Sequence, residues 1–150
     1  MNPFSISLLS AHDKESVLQL MEEVFAKEQG IPKHLLSVTA ANQMGYGLWS
    51  NGLLVGIAIA WEESDGWHWG RFALRTEIRG MGWGSKLAVY SFREIFKEGI
   101  PQLHITARDQ AVPILKKLGA NTVAPAFDFY GAPVTPMVLR ADGLVLSSGY

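Results

Sequence analysis

Residues Phe4–Leu9 alternate apolar and polar side chains over their first five positions, the period of a strand with one buried face. Ser10, with Asp13 three residues on, has the spacing of a capping box that uses Asp in place of Glu. Val17, Leu20, Met21, Val24 and Phe25 then recur at i, i+3, i+4, i+7 and i+8, the stripe of an amphipathic helix. Gly30 is placed to end that helix, with Pro32 just beyond it. Lys33–Gln43 is weakly patterned and fits either a short second helix or a loop.

The middle of the chain predicts antiparallel sheet. Tyr46–Ser50 and Leu53–Glu62 flank Asn51-Gly52, whose residue types suit a type I′ turn with positive φ at both positions. A second turn, Glu63-Ser64-Asp65-Gly66, leads into Trp67–Leu74. After a glycine-rich loop, Ser85–Glu98 reads as a helix closed by Gly99. Leu103–Thr106 is a short strand and Pro113–Leu118 a short helix stopped by Gly119. Two further strands are expected near Val123–Phe129 and Val134–Arg140, around a Gly131-Ala132-Pro133 turn. The order is β-α-(α)-β-β-β-α-β-α-β-β. It predicts an α+β fold, with a mixed, mostly antiparallel sheet of six to seven strands and about four helices. The helical crossover makes the fourth and fifth strands parallel neighbours.

Composition narrows the class of protein. One hundred and fifty residues match one domain, and 48% hydrophobic residues support a core without disulfide or metal staples. Thirteen basic residues against fourteen acidic ones leave a charge of −1. Arg71, Arg75, Arg79 and Lys86 are too scattered a set for a nucleic-acid-binding face. The absence of cysteine excludes disulfides, thiol nucleophiles and zinc-thiolate sites, and no metal site is expected. The longest apolar run, Leu53–Trp61, is interrupted by Gly56 and far shorter than the ~20 residues of a membrane helix. With no basic and apolar leader at Met1–Ser10, a cytoplasmic location is expected.

The chemistry concentrates in Arg79-Gly80-Met81-Gly82-Trp83-Gly84-Ser85, between a strand and a helix. Alternate glycines let backbone N–H groups approach a ligand closely, and a helix N-terminus offers unpaired N–H groups and a positive dipole end. A phosphate suits that site, with Arg79 and Lys86 adding charge. Neither nucleotide-binding signature fits. The dinucleotide fingerprint needs Gly or Ala where Ser85 stands, and the Walker loop needs G-K-[ST] where this chain has Gly84-Ser85-Lys86. The plain alternative is a glycine turn that serves only tight helix–sheet packing.

The segment from Arg79 to Gly84, after Gly70-Arg71-Phe72-Ala73-Leu74 and before Ser85-Lys86-Leu87, resembles the acetyl-CoA motif of the GNAT N-acetyltransferase superfamily. Val24-Phe25-Ala26-Lys27-Glu28-Gln29-Gly30-Ile31-Pro32 is similar to a stretch of its ElaA-like branch, and Lys117-Leu118-Gly119-Ala120 resembles the K-L-G-F closing the last helix. The resemblance implies a GNAT fold in which the fourth and fifth strands splay apart and the pantetheine arm of acetyl-CoA lies between them. It places that arm against Phe72, Ala73 and Leu74, and the pyrophosphate on Arg79, Gly80, Met81, Gly82, Trp83, Gly84 and Ser85. It implies direct attack of an amine, from a small molecule or a protein, on the thioester. The acting form is a monomer or homodimer, with neither membrane nor nucleic acid as partner.

The chain departs from that pattern where proton transfer is expected. The tyrosine that usually protonates the thiolate is matched by Leu115, which can only pack against the cofactor, and the histidine after the last hairpin is matched by Val134. Glu28, His104 and Tyr130 are the substitutes with titratable groups. Each has a plain alternative: a helix-end charge, a hydrogen-bonded strand histidine, a packing tyrosine. His68, between Trp67 and Trp69, is equally ambiguous; those two tryptophans share one sheet face and suit sheet packing, a dimer surface or an acceptor mouth. The expected activity is acetyl-CoA-dependent N-acetyl transfer to a primary amine. A degenerate acyl-CoA-binding domain of the same fold is the alternative.

Overall fold

The computed structural model describes residues 3–28 and 42–146, with the side chains of 27 and 28 excepted. The order of elements is β1 (Phe4–Leu8), α1 (Lys14–Met21), β2 (Gln43–Ser50), β3 (Leu53–Glu63), β4 (Gly66–Leu74), α2 (Trp83–Lys97), β5 (Gln102–Arg108), α3 (Val112–Lys117), β6 (Asn121–Thr122), β7 (Phe127–Phe129) and β8 (Ala132–Arg140). The capping box forms: the backbone N–H of Ser10 donates to Asp13 Oδ2 at 2.9 Å, and Ser10 Oγ accepts from the helix start. Beyond Met21, wider π-type turns carry the helical path through Glu22–Glu28. The ends expected near Gly30 and Lys33–Ala41 lie outside the described residues.

The strands make one sheet in the order β1-β2-β3-β4-β5-β8-β6, with β7 also pairing β8. All pairings are antiparallel except β4 with β5. The β2–β3 hairpin turns at Asn51 and Gly52, with φ of 51° and 82°, as its sequence requires. Alternation along the strands sorts side chains to two faces. One carries Trp69, Val55, Leu103, Ile105 and Met137 against Leu87 and Phe92 of α2 and Leu115 of α3. The other carries Leu54, Ile57, Ile59 and Ala73 against Leu20, Met21, Val24 and Phe25. Each side chain so buried contributes about 1.5–3 kcal/mol.

The sheet has eight strands rather than six to seven, because the segment expected as one strand at Val123–Phe129 is broken. Pro125 has no N–H for a ladder, so bonding to β8 ends with the Val123 N–H on the Pro136 carbonyl at 3.0 Å and resumes at Phe127. The last hairpin turns at Tyr130-Gly131 (φ 50° and 84°), and Ala132 and Pro133 belong to β8. Three α-helices lie among the described residues, none long and apolar enough to cross a membrane.

Candidate active site

Strands β4 and β5 share two register pairs, His68 with His104 and Trp69 with Ile105, and pair no further. A cause lies within β4. Arg71 has φ of 47°, opposite the register shift between Ile57 and Ile59 of β3, and such a bulge bends its strand and increases its twist. From Gly70 on, β4 stays with β3 while β5 stays with β8, through Arg108 paired with Val134. A wedge opens between them. Phe72, Ala73 and Leu74 line its β4 side, although the Leu74 carbonyl accepts a bond from Arg79 Nε at 3.0 Å.

After β4 a short 3-10 turn at Thr76–Ile78 leads through Arg79-Gly80-Met81 to Gly82, the N-cap of α2. Gly80 and Gly82 have φ of 80° and 84°, and a Cβ on either would meet no atom within 4 Å. Among the described residues no side chain caps α2, and its first turn holds no acidic residue, so its leading N–H groups have no intrahelical or capping acceptor. Gly84 differs: a Cβ there would lie 3.0 Å from Leu74 Cδ1 and 3.5 Å from Phe72 Cζ, so it lets α2 pack closely on β4. Trp83 stacks on Phe4 of β1 (centroids 4.5 Å apart), and Lys86 Nζ lies 4.4 Å from the Trp83 ring centroid. Met81 is exposed and Ser85 half-buried. The cradle at Gly80 and Gly82, where a Cβ would meet no described atom within 4 Å, with Lys86 close by, fits a phosphate group.

On the α1 side of the sheet, at the closed end of the wedge, four groups converge. His104 Nε2 lies 3.2 Å from the carbonyl oxygen of Asp65, which can only accept, so the Nε2–H donates to it and Nδ1 is left outside that bond. His68 Nε2 lies 2.7 Å from Asp65 Oδ1 and 3.2 Å from Glu63 Oε2. Trp61 stacks on His68 and donates Nε1–H to Glu63 Oε2 at 3.0 Å. The hydrogen bond from His68 holds the Asp65 carboxyl below its ordinary pKa. Ligand atoms of Glu63, Asp65 and His68 lie within 4.8 Å of one another, but the carboxylates are exposed and the closest contact is that of a hydrogen bond.

Of the sequence candidates, His104 and His68 belong to this cluster. Tyr130 lies on the β7–β8 turn, about half exposed, with its ring against Phe129. Glu28 ends the π-type segment, and its side chain lies outside the described residues. Leu115 is 1% exposed, within the core under α3, and Val134 is buried. Trp69 and Trp67 face the α2 side, as expected of a shared face. Sequence reasoning missed Asp65 and Glu63, since the parallel register that brings His104 to their turn has no local signal.

A model of the acetyltransferase (GNAT) domain family matches residues 8–141. No protein of curated function matches the chain in sequence. Among solved structures, Escherichia coli ElaA superposes with a TM-score of 0.81 at 19% identity, over 90% of this chain and 98% of that one. An acyl-CoA N-acyltransferase from Pseudomonas aeruginosa gives 0.80 at 17% identity, over 90% and 98%. An aminoglycoside 6′-N-acetyltransferase complexed with coenzyme A gives 0.74 at 14%, over 91% and 97%. These likenesses establish the fold.

Proposed function

The chain belongs to the GNAT acetyltransferase family, and from that premise we propose that it transfers an acetyl group from acetyl-CoA to a primary amine of a small molecule or a protein by direct attack. The observation that carries this reading is the open cradle of Gly80 and Gly82, set directly beside the wedge where β4 leaves β5. Acetyl-CoA, when bound, supplies the thioester whose acyl carbon accepts the amine.

The chain's own residues divide the work. Backbone N–H groups from Gly80 to Ser85 hold the phosphates, with Arg79 and Lys86 adding charge. Phe72, Ala73 and Leu74 give the pantetheine arm an edge to lie along. Leu115 supports the wedge from within the core and offers no proton. His104, one residue before the last position of β5 paired with β4, takes the amine proton at Nδ1, because its Nε2–H is committed to Asp65. A positioned base of this kind typically contributes 10²–10⁴-fold. Tyr130 and Glu28 remain further candidates for proton transfer at the acceptor side. The reading places the protein in the cytoplasm as a single-domain monomer or homodimer, without nucleic-acid or membrane partners.

The test is thermal stability with coenzyme A and acetyl-CoA, followed by thiol release with a panel of amines. Cofactor stabilisation with turnover supports the transferase. Stabilisation without turnover favours an acyl-CoA-binding domain, the reading that Leu115 and Val134 keep open by removing two usual proton-transfer groups. No stabilisation at millimolar cofactor overturns both.

A further inference from the structure

Arg108 ends β5 on the wedge side, three residues past the last position paired with β4. It lies on the same sheet face as His104, since residues at even spacing along a strand share a face. That face is opposite the one covered by α2. Its register partner Val134 is apolar and buried. Arg108 Nη2 is itself buried and has no hydrogen-bond partner among the described residues. Arg75 is bonded to Glu23 and the Leu54 carbonyl, Arg79 to the Leu74 carbonyl, and Arg140 to Asp142. Burial pulls the Arg108 pKa below its ordinary value.

A guanidinium cannot neutralise itself at ordinary pH, and its planar fork matches a carboxylate through two parallel N–H···O bonds. We infer that Arg108 binds a carboxylate of the acceptor, so that the substrate is an amine that also carries a carboxylate. The inference rests on the transferase reading, which puts the amine near His104. Two features assign the anion to the acceptor rather than to the cofactor. The phosphate cradle opens α2 on the opposite face of the sheet, and Arg108 shares its face with the proposed base. The Cα atoms of His104 and Arg108 are about 13 Å apart along the strand, which sets the longest span the acceptor has to bridge.

The experiment compares ω-amino carboxylates of two to about eight carbons with the alkylamines of equal length. Each is titrated calorimetrically into the protein with and without coenzyme A, so the result does not depend on turnover. At least one carboxylate is expected to bind tenfold or more tightly than its alkylamine. Arg108→Gln should remove that preference, Arg108→Lys should restore part of it, and both should bind coenzyme A as the wild type does. Equal binding of all pairs by the wild type overturns the inference without recourse to any variant. So does a loss of coenzyme A affinity in folded Arg108→Gln, which would assign the guanidinium to the cofactor's phosphates. Failure of the transferase reading is separately visible, as wild-type protein that coenzyme A does not stabilise.

Discussion

His68 and His104 are register partners on adjacent parallel strands, with ring centroids 5.0 Å apart, and both direct Nε2 at Asp65. The pair lies at the closed end of the wedge. Their roles differ, because His68 engages the carboxylate and His104 the carbonyl. If His104 is the base, His104→Ala should lower kcat by roughly 10²–10⁴-fold and leave coenzyme A affinity within a factor of two or so. A variant with wild-type kcat would remove His104 from the mechanism. His68→Ala serves as the comparison, with a smaller effect expected because His68 is held by Asp65 and Glu63.

The glycines of the loop separate by what each substitution meets. Gly82→Val puts a branched side chain into space that no protein atom fills, at a φ of 84° that β-branched residues strongly disfavour. It should abolish coenzyme A binding, with a stability loss of about 1–3 kcal/mol for the strained backbone. Gly84→Val instead collides with Leu74 and Phe72 and should lower the melting temperature more than it weakens the cofactor. Fluorescence titration and thermal unfolding of the two variants check this. Identical behaviour would mean that the three glycines act as one packing element.

Those glycines also show how much was legible. The alternating pattern Gly80-Gly82-Gly84 marked the loop, yet the three glycines divide: Gly80 and Gly82 take positive φ with open space beside them, and Gly84 serves packing. The Asn51-Gly52 hairpin was legible because its turn chemistry is local. The bulge at Arg71 was not, since an arginine at positive φ is imposed by pairing with β3 rather than by its own preference. Pro125 carried the signal that splits the strand at Val123–Phe129, outweighed there by the apolar residues around it. The meeting of His104 with Asp65 depends on a parallel register set by a crossover of some thirty residues, which no local pattern encodes. Leu115 was expected against the cofactor through resemblance alone, and its burial follows from where α3 lies on the sheet.

That burial gives a direct prediction. Leu115→Ala should cost about 2–5 kcal/mol, the range for emptying a core leucine site. Leu115→Tyr adds volume to a filled space and should cost about 1–3 kcal/mol. Chemical denaturation measures both. Variants as stable as the wild type, with altered coenzyme A affinity, would place the side chain in the wedge instead.

Tyr46 is expected to contribute to the loss of stability at alkaline pH. Burial, with smaller contributions from Glu94, Glu98 and Tyr90, pushes its pKa from 10.0 up to about 12. A raised pKa means that the folded state holds the proton more tightly than the unfolded one. The stabilisation is complete below pH 10 and is lost as the pH rises toward 12. Denaturant midpoints should therefore fall across that window, and less steeply in Tyr46→Phe. An unchanged slope in the variant would assign the alkaline loss to other groups.

The buried hydrogen bond from Trp69 Nε1 to Ser91 Oγ, 2.9 Å long, ties the last registered position of β4 to α2. Ser91 is fully buried and passes its own proton to the Ala88 carbonyl at 2.8 Å, so its oxygen is committed on both sides. Ser91→Ala leaves the Trp69 N–H without an acceptor in a site that water does not reach, at a cost of about 1–3 kcal/mol. For a chain of this size, each kcal/mol corresponds to roughly 2–4 °C in melting temperature. Trp69→Phe removes the donor and some ring volume, and adding Ser91→Ala to it should cost less than Ser91→Ala costs alone. The double-mutant cycle isolates that coupling. Because the bond anchors the strand just before the wedge opens, Ser91→Ala should also raise the KM for the amine acceptor while leaving the phosphate cradle at α2, and hence coenzyme A affinity, unchanged. Strictly additive stabilities would show that Trp69 and Ser91 act independently and that the wedge is anchored elsewhere.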